Sequence, residues 1–162
     1  MATAICEQIA LKVSQRLQLI SQSSGYETTV AGTVIRAEKI WNGNLKDYQI
    51  TITQTSNTYN ETMSHPGNPP AIAWDLVFTV FGEIRPSEDD TMSFDALCNE
   101  FASDMVKAIT VPAASWHNWD GLAINTVFNT ITNVNAEEIG GARLEFTVIY
   151  RTDETNPYTV RT

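Results

Sequence analysis

The run Ala71–Ile84 constrains this chain more than any other segment. Ile72, Trp74, Leu76, Phe78, Val80 and Ile84 fall on one face of an extended strand, and Ala73, Val77 and Phe81 fall on the other among Asp75, Thr79 and Glu83. Side chains of a strand alternate between faces. Apolar residues on both faces therefore place this segment in the middle of a sheet, with its second face covered. A neighbouring copy of the chain is a candidate for that cover.

The strand is followed by Pro86 and then by Ser87-Glu88-Asp89-Asp90, which predict a helix over Ser87–Thr110. Ser87 is the expected cap, and the acids suit the positive end of the helix dipole. Phe94, Leu97, Cys98, Phe101, Met105, Ala108 and Ile109 form its core-facing stripe, and Lys107 sits near the end where a cation is favoured. Helix starting explains the acidic run better than a metal site, because no further ligand cluster accompanies it.

An earlier amphipathic helix is predicted over residues 3–22, with Ile5, Ile9, Val13, Leu17 and Ile20 on one stripe. Thr3 is its expected cap, and Ser23-Ser24-Gly25 its stop. Thr29–Ala37 is a short strand with Gly32 as a bulge or turn, and Trp41-Asn42-Gly43-Asn44 carries a turn signal. Asp47–Thr53 alternates as a half-buried strand, with Tyr48, Ile50 and Ile52 on one face.

After the second helix come a loop with Trp116, His117 and Trp119, a strand over Leu122–Val134, a Gly-Gly turn region at Glu137–Gly141, and a closing strand over Ala142–Thr152. The order of elements implies one α+β domain over 1–162, an antiparallel-rich sheet with two helices packed on one face.

Two segments stand outside that frame. Residues 54–70 turn polar and hold Pro66, Gly67, Asn68, Pro69 and Pro70. They predict a long loop, and long loops in compact domains are generally functional or mobile. Tyr59, His65, Pro66 and Pro69 are candidate interface residues there. At 153–162 the chain leaves the last strand through Asn156-Pro157-Tyr158, and Pro157 and Tyr158 are candidates in a tail suited to reaching a neighbour.

Catalytic signatures are missing. The sequence holds no G-x-S-x-G elbow, P-loop, G-x-G-x-x-G, H-E-x-x-H or C-x-x-C. Its two histidines are His65 and His117. His117 with Asp120 resembles a base and its orienter, but no nucleophile goes with them. Glu137-Glu138 fits a solvated hairpin end. Trp116 and Trp119 admit two readings, a plug at the end of the sheet, or exposed aromatics that serve as a sugar platform or an interface anchor. Neither a metal nor a cofactor is expected, nor an enzyme.

Charge narrows the partners. The net charge is -9, and ten basic residues are scattered along 162 positions. Tight DNA binding draws on clustered Lys and Arg, so it is not expected, whereas an acidic conduit through which DNA slides is compatible. A chain of this length buries about 70% of its unfolded surface without staples, and Cys6 and Cys98 are expected as reduced thiols. The N-terminus lacks a positive leader, and no apolar stretch reaches membrane-spanning length. A soluble protein made in a cytoplasm, without a membrane partner, is the expectation.

This arrangement resembles the tail terminator, or tail completion, proteins of long-tailed bacteriophages. The resemblance spans the Ile5–Ile20 helix, the Val30–Ile52 strands, Ala71–Ile84, Ser87–Thr110, Phe128–Asn135 and Leu144–Tyr158. The ending Val-Ile-Tyr-Arg-Thr-Asp-Glu-Thr-Asn-Pro-Tyr is the portion most similar to such proteins. It implies a structural virion protein of the tail or neck, made in a bacterial host. Such a protein forms a hexameric ring that caps the tail tube, ends its polymerisation and joins the head connector or stopper. The partners implied are further copies of the chain, the tail tube protein and the connector, with genomic DNA passing through unbound. Another neck or tail-tube subunit and a carbohydrate-binding module are the competing expectations.

Overall fold

The computed structural model describes residues 3–30, 34–36, 48–67, 70–85, 91–111, 115–134 and 140–161. Its elements run α1 (Ile5–Leu17), a 3-10 turn (Gln22–Ser24), β1 (Val34–Arg36), β2 (Tyr48–His65), β3 (Ala71–Ile84), α2 (Phe94–Thr110), β4 (Asn125–Val134), β5 (Gly140–Asp153) and β6 (Asn156–Val160). The sheet has the order β1-β2-β3-β5-β4, with β6 added to β5. The β1–β2 pair is parallel and the other pairs are antiparallel. The α+β expectation with two helices is thus met.

The strand Ala71–Ile84 is central, paired with β2 on one side and β5 on the other over its whole length. Leu76, Phe78, Val80 and Ile84 are buried beneath the helices together with Leu144, Phe146 and Val148 of β5. Phe78 and Phe146 face each other in register and stack with centroids 5.4 Å apart. Close approach here depends on two glycines. A Cβ on Gly82 would stand 2.5 Å from the Phe101 ring of α2, and a Cβ on Gly141 would collide with the Gly82 carbonyl oxygen. On the other face Val77 and Phe81 are half-buried, while Gln49, Thr51 and Glu83 are buried near the β1 end.

The helices hold together through polar contacts as well as apolar ones. Asp104 of α2 is buried, and its carboxylate accepts hydrogen bonds from the Thr28 backbone N–H and hydroxyl, both at 2.7 Å. Those bonds fasten the segment after α1 to the middle of α2. Arg36 of β1 pairs with Glu7 of α1. Both cysteines carry free thiols.

Several boundaries differ from the sequence reading. The first helix ends at Leu17 rather than near 22, and its N-cap is Ala4, with no side-chain cap bond. The second helix begins at Phe94, capped by Ser93, whose hydroxyl accepts from the Ala96 N–H. Residues 91–93 are not helical, and the Ser87-Glu88-Asp89-Asp90 start lies outside the described residues. So do Gly32, the Trp41–Asn44 turn, Pro69 and Glu137-Glu138.

The largest corrections fall on the two outlying segments. Residues 54–65 are strand, not loop, because β2 is 18 residues long and pairs with β3 as far as His65↔Ala71. Thr is enriched in strands, and here it recurs at Thr53, Thr55, Thr58 and Thr62. The C-terminal segment does not reach away either. It turns at Glu154–Thr155 and returns as β6, fastened by Arg161 bonding Asp153.

Candidate interaction surface

One end of the sheet, called the arm below, is built from the second half of β2, the first half of β3, the end of β5, and β6. Irregular stretches of this arm are held by side chains that stand in for ladder bonds. Asn60 accepts from the Met63 N–H at 2.9 Å and donates to Asp75 at 2.8 Å. The Ser64 hydroxyl donates to the Asn60 carbonyl and accepts from the Ala73 N–H. Arg151 of β5 donates to the Met63 carbonyl at 2.9 Å. These bonds carry the chain across the register shift between Asn60 and His65.

Three of the sequence candidates meet at the tip. Tyr59, His65 and Pro66 border a shallow cleft of about 620 Å³ together with Glu61 and Glu154. Tyr59 is 57% exposed and rests edge-on against Trp74, with centroids 6.4 Å apart. His65 is oriented by its own backbone, its Nδ1 accepting the Gly67 N–H at 2.8 Å. Pro157 and Tyr158 are exposed on β6 at the same end. The cleft thus brings an aromatic side chain, an imidazole and two carboxylates together.

The two loop tryptophans part company. Trp119 is fully buried and stacks on Phe146 at 6.2 Å, so it is a core plug and not an exposed anchor. Its indole N–H donates to the Thr126 hydroxyl at 2.8 Å, and that hydroxyl donates to the His117 carbonyl. Trp116 is half-buried and lies on Phe128 with centroids 5.7 Å apart. Trp119, Asp120 and Gly121 have φ of 51°, 59° and 88°. Left-handed backbone at non-glycine residues is costly and persists only where the surroundings over-determine it. Burial of the indole and three bonds around Asn118, to Asp120, Gly121 and Ala123, do that here.

Asp120 is not an orienter for His117. Its two carboxylate oxygens are taken by Lys12 at 2.7 Å and the Ser115 hydroxyl at 2.8 Å, with Arg16 at 4.0 Å. These partners, Lys12 first, hold its carboxyl below the usual carboxylate range. Among the described residues no group of three or more His, Cys, Asp or Glu side chains converges on a metal position, and no helix is long and apolar enough to cross a membrane. No known protein family matches this sequence, and no curated protein matches it either.

A second surface escaped the sequence reading. Between α2 and β4 lies a groove of about 700 Å³ lined by Ala102, Val106 and Ile131 along with polar residues. Ile131 is 51% exposed and Val127 is 45% exposed. The bulge between Phe128 and Thr130 breaks the period-two pattern of the strand, so simple alternation does not reveal which residues face out. The signal available in the sequence is instead the absence of any charge from Asn125 to Val134.

Proposed function

We propose that this chain is a structural assembly protein, a tail terminator of a long-tailed phage that closes into a ring on the last ring of the tail tube. The observation that carries the reading is the arm. A strand hairpin with an exposed aromatic, a cleft and a returning C-terminal strand is organised by specific bonds, and Tyr59 and His65 stand exposed beside the cleft. Arms of that kind gain their free energy by meeting a neighbour. A ring requires heterologous contacts, in which one surface of each subunit meets a different surface of the next, and the arm and the α2–β4 groove are two such distinct surfaces. The charge of -9 suits a lumen that lets DNA slide without holding it.

The burial of Trp119 favours this reading over a carbohydrate-binding module, since it takes Trp119 out of the sugar platform that it would form with Trp116. A tube subunit remains the nearest competitor. Electron microscopy of the purified chain separates them: single rings support a terminator, and long stacks of rings indicate a tube subunit.

A further inference from the structure

We propose that His65 is a proton-operated latch on the turn between β2 and β3: the neutral imidazole holds the Gly67 N–H, and the imidazolium lets it go and swings into the cleft. The inference goes beyond the assembly reading and stands whatever the arm meets.

The turn is short of donors. β2 ends at His65, which is in register with Ala71, the first residue of β3. Between them, Pro66, Pro69 and Pro70 have no backbone N–H to give. Gly67 and Asn68 carry the only main-chain donors of that stretch. The Gly67 N–H is spent on His65, donating to Nδ1 at 2.8 Å. A Cβ on Gly67 would stand 2.6 Å from Nδ1 and 2.8 Å from Cε1, so the imidazole occupies the place that a side chain would take. The glycine and the ring are fitted to one another.

That bond depends on one proton. A ring nitrogen accepts only while it is bare, so the neutral ring here keeps its proton on Nε2. A second proton goes to Nδ1 and sets one N–H against another. The bond is then lost outright, and two donors crowd each other.

The charges at the tip give the released ring somewhere to go. Glu61 of β2 and Glu154 after β5 line the cleft with His65, both are exposed, and among the described residues no ion pair engages either. Across the sheet Ala71 links His65 in register to Asp153. The Asp153 carboxylate is already taken by Arg161 and Thr155. Arg151, a further cation of the arm, is held on the Met63 carbonyl. Residues 68 and 69 are Asn and Pro and add no charge. The imidazolium is therefore drawn toward Glu61 and Glu154, away from Gly67. Acid conditions free the turn and place the ring across the cleft beside Tyr59.

The test is NMR of the full, isotope-labelled chain as the pH is lowered through the titration of the His65 ring. The neutral ring should be the Nε2–H tautomer. The Gly67 amide signal should move with the same midpoint as the ring. Its exchange with water, referred to an unstructured amide at each pH, should quicken by about tenfold, as the loss of one hydrogen bond implies. The imidazolium should show Overhauser contacts to the Glu61 or Glu154 side chain that the neutral ring lacks. His65→Asn retains an acceptor for the N–H two residues on but cannot titrate, so its Gly67 amide should hold steady over the same range. An Nδ1–H tautomer, a Gly67 amide that ignores the titration of the ring, or an imidazolium without contacts to either glutamate would each overturn the proposal. So would a His65→Asn chain whose Gly67 amide follows pH as the unaltered chain does.

Discussion

The Arg16 guanidinium lies 4.1 Å from the centroid of the Trp119 indole, and this stack joins the end of α1 to the turn that precedes β4. Arg16 also donates to the carbonyl of Ile109 near the end of α2 at 2.8 Å. Three separate segments therefore converge on one buried cation. Desolvation lowers the pKa of the guanidinium, with Asp120 opposing that shift. The indole face and the carbonyl replace part of the water it has lost.

Trp119→Ala should cost about 3–5 kcal/mol, as expected for deleting a large buried aromatic. Arg16→Ala should cost about 1–3 kcal/mol by leaving the Ile109 carbonyl without its partner. Urea unfolding of the two single variants and the double variant checks this. The double variant should lose less than the sum, with a coupling of about 0.5–3 kcal/mol. Strict additivity would show that the stack contributes nothing.

Glu83 should make stability fall as pH rises. It is 5% exposed, and burial raises its pKa above 4.5, while a hydrogen bond with Thr51 pulls the other way. The folded state disfavours the carboxylate, so the contribution of the protonated group is full below 4.5 and is lost as the pH climbs through the raised folded value. Glu83→Gln removes that loss. Unfolding free energies of the two proteins, compared from below 4.5 to neutral pH, should diverge in favour of the glutamine variant. A difference that stays flat with pH contradicts the assignment.

Asp153 should titrate in the opposite sense. Its pKa is lowered from 3.8 to about 2, first by the hydrogen bond from Arg161 and then by the Thr155 hydroxyl and N–H. Its contribution is present above 3.8 and disappears as the pH falls toward about 2. A carboxyl NMR titration should give a midpoint near about 2, and Arg161→Ala should bring it back toward 3.8. An unchanged midpoint in the variant would mean that the ion pair does not fasten β6 to β5.

How far the sequence foretold this structure depended on how its strands meet water. β3, β5 and the body of α2 were legible because their apolar residues recur with the period of the element and face one core. The distal half of β2 was not, because its Thr, Asn and Ser residues are solvated on both faces and polar composition resembles that of a loop. β6 was hidden by Asn156-Pro157, which signal a break although the chain merely turns back. The second helix was started too early because Ser87 and Ser93 are both plausible caps, and periodicity does not decide between them. At the arm, Tyr59, His65 and Pro66 were named from composition and are brought together by the hairpin. For Trp119 the sequence left a plug and an exposed anchor both open, and Phe146 and Thr126 supply the partners that make it a plug.

The central claim is that this chain ends a tube. Its most direct test is the length distribution of tubes grown from the tail-tube protein of the same genome, measured by electron microscopy with and without this chain added. The account predicts that substoichiometric amounts shorten the tubes and leave a single ring of the chain, of about six copies, on one end. Tubes of unchanged length, or tubes that incorporate this chain along their sides, would contradict it.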